Sequence, residues 1–195
     1  MNSSPLAVTV LSLLTYQPLH PYGIQRLIKQ WGKDLVVNVG QRASLYRTID
    51  RLLEADLIRV RETERDQQYP ERTVYELTDA GRETLLEWLV EMLAVPKQEF
   101  PQFPAALSHV MLLPPQEMAR VLERREQAVN QSLVMLERSL QAESDMPRVA
   151  MLETEFIRDV TEAELRWLRR VVDDVRAGRL TWSRESLEAA YQDGA

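Results

Sequence analysis

The chain has 195 residues, 45 % of them hydrophobic, with no cysteine and a formal net charge of −6. That length and apolar content suit one or two small domains with a buried core. The lack of thiols excludes a disulfide framework, a thiolate metal site and a cysteine nucleophile, and is compatible with the reducing cytoplasm in which we expect the protein.

The apolar run Leu6 to Leu14 has no basic residue before it and no small-residue cleavage pattern after it, so it reads as a core helix and not an export signal. No window approaches the roughly 18 apolar residues of a membrane span, and a soluble protein is expected. The first helix is predicted from about Pro5 to Tyr16, apolar on nearly every side, and is ended by Gln17-Pro18-Leu19-His20-Pro21. A second, about Tyr22 to Trp31, carries Ile24, Leu27, Ile28 and Trp31 on one stripe, with Gly32 as its stop. The third, about Gln41 to Ala55, places Leu45, Ile49, Leu52 and Leu53 on one side and Arg47, Asp50 and Arg51 on the other.

From Leu57 the period becomes alternating, with Ile58 and Val60 opposite Arg59 and Arg61; a polar stretch, Glu62 to Arg72, leads to a second alternating run, Thr73 to Leu77. This is a hairpin. Thr78 or Asp79 then caps a fourth helix whose predicted apolar face is Leu85, Leu86, Leu89, Met92 and Leu93. Pro96, Pro101 and Pro104 forbid continuous helix, so the expected domains are 1–95, a linker 96–104, and 105–195.

Three helices, a two-stranded wing and a fourth helix give the order of a winged helix-turn-helix, in a chain that is otherwise mainly α. In that fold the third helix enters the major groove. Arg47 and Arg51 supply fork-shaped donors for guanine edges or phosphates, and Ala43 and Ser44 allow close approach. Tyr46 can donate its hydroxyl to a phosphate, and Arg42 stands where the helix amino terminus also favours an anion. Arg59, Arg61, Arg65 and Arg72 of the wing are candidates for contacts to the DNA backbone. The charge distribution sets a limit: residues 1–78 hold 10 basic and 9 acidic side chains, and residues 79–195 hold 14 and 21. DNA binding must therefore come from local arrangement and not from a general positive field.

The stretches Leu19-His20-Pro21-Tyr22-Gly23-Ile24, Ser44-Leu45-Tyr46-Arg47-Thr48-Ile49-Asp50-Arg51-Leu52, Ala55-Asp56-Leu57-Ile58 and Val74-Tyr75-Glu76-Leu77-Thr78-Asp79-Ala80-Gly81 resemble the PadR family signature. The resemblance implies a ligand- or stress-responsive transcriptional regulator, commonly a repressor, acting as a homodimer on a near-palindromic operator. It puts Tyr46 and Arg47 on the recognition helix. The chain departs from the pattern at Pro21 and Asp56, where the family often has glycine, and in a second wing strand with only Arg72 and Tyr75.

Beyond the prolines, one long helix is predicted from about Pro114 to Ala142, with Leu122, Val129, Leu133, Leu136 and Leu140 in line. A second, about Pro147 to Ala177, has two apolar lines: Val149, Leu152, Phe156, Val160 and Trp167, and Ile157, Leu165, Leu168, Val172 and Val175. One face would pack within the chain. We expect Leu165, Leu168 and Val172, with Leu122, Val129, Leu133 and Leu136, to form a two-fold dimer interface; a helical hairpin folded back on the first domain is the alternative. Trp31, Trp88 and Trp167 are candidate walls of a pocket for a small apolar or aromatic effector, although tryptophans in a helical protein more often belong to the core.

No phosphate-binding glycine loop, metal set or catalytic constellation accompanies His20 and His109, so neither an enzyme, a cofactor nor a metal is expected. The competing reading is a winged-helix protein-interaction module that does not bind DNA.

Overall fold

The computed structural model describes residues 3–40, 42–64 and 72–183, with Arg42, Glu64 and Arg72 described in their backbone only. The chain divides into two compact units, Met1–Gln98 and Glu99–Ala195.

In the first unit, Ser4 caps helix α1 (Pro5–Leu14) by accepting from the Ala7 N–H at 3.2 Å, and Pro5 occupies the first turn, where no N–H is needed. Ala7, Val8, Val10, Leu11, Leu13 and Leu14 are buried, which accounts for the lack of a polar face. Helix α2 (Pro21–Gln30) is capped by His20 and ends at Gly32, whose φ of 64° is left-handed. A turn of 3-10 helix at Lys33–Leu35 follows. Helix α3 (Arg42–Glu54) buries Leu45, Thr48, Ile49 and Leu52.

The end of α3 fixes where the wing starts. Asp56 N–H donates to the Leu53 carbonyl and Leu57 N–H to the Leu52 carbonyl, both at 3.0 Å, a Schellman closure with Asp56 at φ 56°. The backbone at Asp56 is left-handed, the region that glycine enters without strain. Aspartate tolerates that region and a β-branched residue does not. Asp56→Val is expected to lower stability by roughly 1–2 kcal/mol, read from urea denaturation.

Strands β1 (Ile58–Glu64) and β2 (Arg72–Leu77) pair antiparallel, Ile58 with Leu77, Arg59 with Glu76 and Val60 with Tyr75. A bulge at Arg61 shifts the register, after which Glu62 faces Val74. The expected polar connection from Glu62 to Arg72 is therefore shorter, since both strands continue into it. Alternation does not show this because the outer hairpin has no core to face: Val60, on the same face as the buried Ile58, is exposed. Leu19 forms an isolated bridge with Tyr75, each N–H donating to the other's carbonyl at 3.0 Å, and so pairs the outer edge of β2.

Helix α4 (Asp79–Ala94) is capped by Thr78 and buries Gly81, Leu85 and Trp88. Its expected apolar face is corrected: Leu86, Val90 and Leu93 form an exposed stripe, because only the side of α4 against α1 meets the core.

In the second unit, helix α5 (Gln102–Leu107) starts within the proline-rich stretch, with Pro104 in its first turn. Helices α6 (Pro115–Ala142) and α7 (Leu152–Arg176) form an antiparallel hairpin; a 3-10 turn at Arg148–Met151 occupies the first residues of the helix predicted from Pro147. Ion pairs Arg125–Glu164 at 2.6 Å, Arg169–Glu126 at 3.0 Å and Arg176–Glu123 at 2.7 Å flank the contact. Partly exposed pairs like these set register more than stability, at about 0–1 kcal/mol each.

The dimer residues inferred from sequence are corrected here. Leu122, Leu133, Leu136, Leu165, Leu168 and Val172 are buried within one chain, and Val129 packs against the same core. Two adjacent helices joined by a short connection bury their facing stripes on each other first; periodicity marks an apolar stripe without naming what covers it. Of the other line, Val149 in the 3-10 turn and Leu152, Phe156 and Val160 on α7 are left exposed, whereas Trp167 packs against the core.

Candidate nucleic-acid interface

The outer side of α3 is presented by its own core side. With Leu45, Ile49 and Leu52 held at 2 % exposure or less, the helical period turns Ala43, Tyr46, Arg47, Asp50 and Arg51 outward. Arg47 Nη2 donates to Ser44 Oγ at 3.3 Å, and Arg51 Nε donates to the Arg47 carbonyl at 3.3 Å. Among the described residues neither guanidinium is in an ion pair, so both keep donors for an incoming acceptor. Thr48, buried, donates back to the Ser44 carbonyl at 2.9 Å and needs no other partner.

Wing residues separate by what already holds them. Arg59 Nε donates to Glu76 Oε1 at 2.7 Å across the two strands, and its guanidinium is thereby committed to the sheet. Arg61, the bulged residue, lies 3.7 Å from the neighbouring Glu62 carboxylate, with both side chains about half exposed. That contact is too long for a hydrogen bond and leaves Arg61 the freer of the two. Arg42 and Arg72 are placed by backbone alone, at the start of α3 and of β2, and Arg65 lies outside the described residues.

Tyr75, on β2, joins the wing to the helix. Burial, then the Asp50 carboxylate and Tyr46, push its phenol up from the ordinary value, against a smaller opposing effect of its hydrogen bond with Thr73. It therefore keeps its proton as a donor. Tyr22, exposed on the first turn of α2, stands beside Tyr46 across a small cleft. Sequence reasoning passed over Tyr22, although it lies in the Leu19-to-Ile24 motif: a residue next to a turn carries no periodic signal of the helix it faces.

The tryptophans have different settings. Trp88 is 8 % exposed in the core of the first unit, which removes it as a ligand-facing wall. Trp31 is half exposed, edge-on to Tyr16 with centroids 6.0 Å apart, and in the second unit Trp167 meets Phe103 edge-on at 6.0 Å. Among the described residues no cluster of metal-ligating side chains occurs, and no helix is long and apolar enough to cross a membrane.

Residues 10–87 match the model of the Transcriptional regulator PadR-like family. The fold is similar to that of Bacillus subtilis PadR in complex with operator DNA, with a TM-score of 0.72 and 19 % identity over 88 % of this chain and 99 % of that one. The complex of Bacillus subtilis PadR with p-coumaric acid gives 0.71 at 18 % identity, over 88 % and 98 % of the two chains. A PadR-like transcriptional regulator from Bacillus cereus gives 0.63 at 15 % identity, over 89 % and 99 %. No curated protein matches the chain significantly.

Proposed function

Because residues 10–87 form a PadR-like domain, that of a transcriptional regulator and not of an enzyme, we propose that this chain represses transcription as a homodimer on a near-palindromic operator in the cytoplasm. The observation that carries the reading is the outer face of α3, with Arg47 and Arg51 out of ion pairs beside Ser44 and Tyr46. The first domain reads DNA: α3 enters the major groove, Arg47 takes a guanine edge, and Tyr46 and Arg51 take phosphates. Arg42, Arg61, Arg65 and Arg72 add backbone contacts, and Arg59 contributes through the shape of the wing.

The second domain dimerises. Support comes from the exposed apolar line that runs from Val149 into α7, where Leu152, Phe156 and Val160 recur at helical spacing. Apolar stripes of this extent favour a second copy over solvent. A small apolar or aromatic effector releases the operator, a reading supported by the binding of p-coumaric acid to Bacillus subtilis PadR; Trp31 and Trp167 are the aromatic side chains still available to it. Such a ligand acts only through different affinities for the two states.

Selection of bound fragments from random DNA, followed by titration, tests the reading. Arg47→Ala is expected to cost roughly 1–3 kcal/mol of specific binding and to relax preference at one base pair in each half-site. Arg61→Ala should weaken specific and non-specific DNA alike and reduce the slope of log K against log salt by about 1. Equal affinity of the Arg47 variant for every operator variant would remove that residue from base reading. Salt-insensitive binding to a protein partner, with no fragment selected, would favour an interaction module.

A further inference from the structure

Between the first turn of α2 and the outer side of α3 lies a cleft of about 50 Å³, lined by Pro21, Tyr22, Gln25, Leu45 and Tyr46. Part of its wall is held by contacts within the chain. His20 Nδ1 accepts from the Gly23 N–H at 2.9 Å, and the His20 ring stacks on Tyr22 with centroids 6.1 Å apart. The Gln25 amide donates to the Val39 carbonyl at 3.4 Å, and Leu45 is buried in the core. Two tyrosine rings, each more than half exposed, thus rim a small apolar hollow on the side of α3 assigned to DNA.

Size narrows the occupant. The cleft falls far below the ~300 Å³ of a small-molecule pocket, so it takes a projecting group and not a whole ligand. It is large enough to take a methyl group. The geometry points to the 5-methyl group of a thymine, so that Tyr22 and Tyr46 together select thymine at one position in each half-site. This rests on the reading of α3 as the groove helix and adds to it a base that the arginines do not read. In the major groove thymine alone projects a methyl; the other base edges present donors and acceptors. An apolar hollow gains from burying the methyl and offers little to desolvated polar groups.

The test uses the full chain and an operator fragment selected by it, with each thymine replaced in turn by deoxyuridine, which removes the methyl and keeps the base pair. At one position per half-site, uracil is expected to weaken binding about fourfold, the worth of one buried methyl. Tyr22→Ala and Tyr46→Ala, which open the cleft, should lower affinity for the thymine operator and erase the difference between thymine and uracil there; Tyr22→Phe should keep it. The scan on the unaltered protein does not depend on how any variant folds. Uracil tolerated at every position overturns the proposal, as does a uracil penalty unchanged in both alanine variants. Failure to select any sequence would overturn the DNA-binding reading itself, and the methyl site with it.

Discussion

Leu152→Glu combined with Phe156→Glu is expected to leave a folded monomer whose operator affinity falls by a factor on the order of 10² to 10⁴. Both side chains lie on the exposed line of α7, Phe156 at 69 % exposure, outside the core that joins α6 to α7. Charge there should leave the hairpin intact. Two half-sites about one helical turn apart are read together only when two DNA-binding domains are linked, and linkage makes the second contact intramolecular. Losing it costs far more than any surface contact to DNA. Charged replacements at Leu168 or Val172 should instead unfold the second unit, since both are core residues. Sedimentation, circular dichroism and operator titration separate these outcomes; a double variant that remains dimeric would show that another surface joins the copies.

Gly81→Ala is expected to destabilise the first unit by about 1–3 kcal/mol, even though alanine is the better helix former by about 1 kcal/mol in a free helix. A Cβ at Gly81 would run into the Leu57 carbonyl oxygen and stand 2.9 Å from both the Leu57 carbonyl carbon and Leu77 Cδ1. The carbonyl has nowhere to go. It already accepts from Thr78 N–H at 3.2 Å and Thr78 Oγ1 at 3.0 Å, the hydroxyl that also accepts from the Gly81 N–H at 2.9 Å. Relief must therefore move the start of α4 away from the residue that leads into β1. For a unit of this size each kcal/mol lowers the melting temperature by roughly 4–8 °C. Operator binding should fall with stability, because the same joint sets the angle between wing and recognition helix. An alanine variant that melts at or above the parent temperature would mean that helix propensity outweighs the contact.

Much of the molecule was legible in the chain itself. The apolar periods of α1, α2, α3, α6 and α7 and the stops at Gly32 and the prolines are local properties, expressed within a few residues of each other. So was the outward face of α3, because burying Leu45, Ile49 and Leu52 leaves Arg47 and Arg51 on the other side. What covers a stripe is not local. The two lines on α7 are equally apolar in sequence, and only the antiparallel contact with α6 decided that Leu165, Leu168 and Val172 face inward while Leu152 and Phe156 do not. Likewise the salt link that commits Arg59 to Glu76, the bridge from Leu19 to Tyr75 and the pairing of Tyr22 with Tyr46 around a cleft join residues 17, 56 and 24 positions apart. Contacts at such separations depend on strand register and helix packing, and those are settled when the core closes.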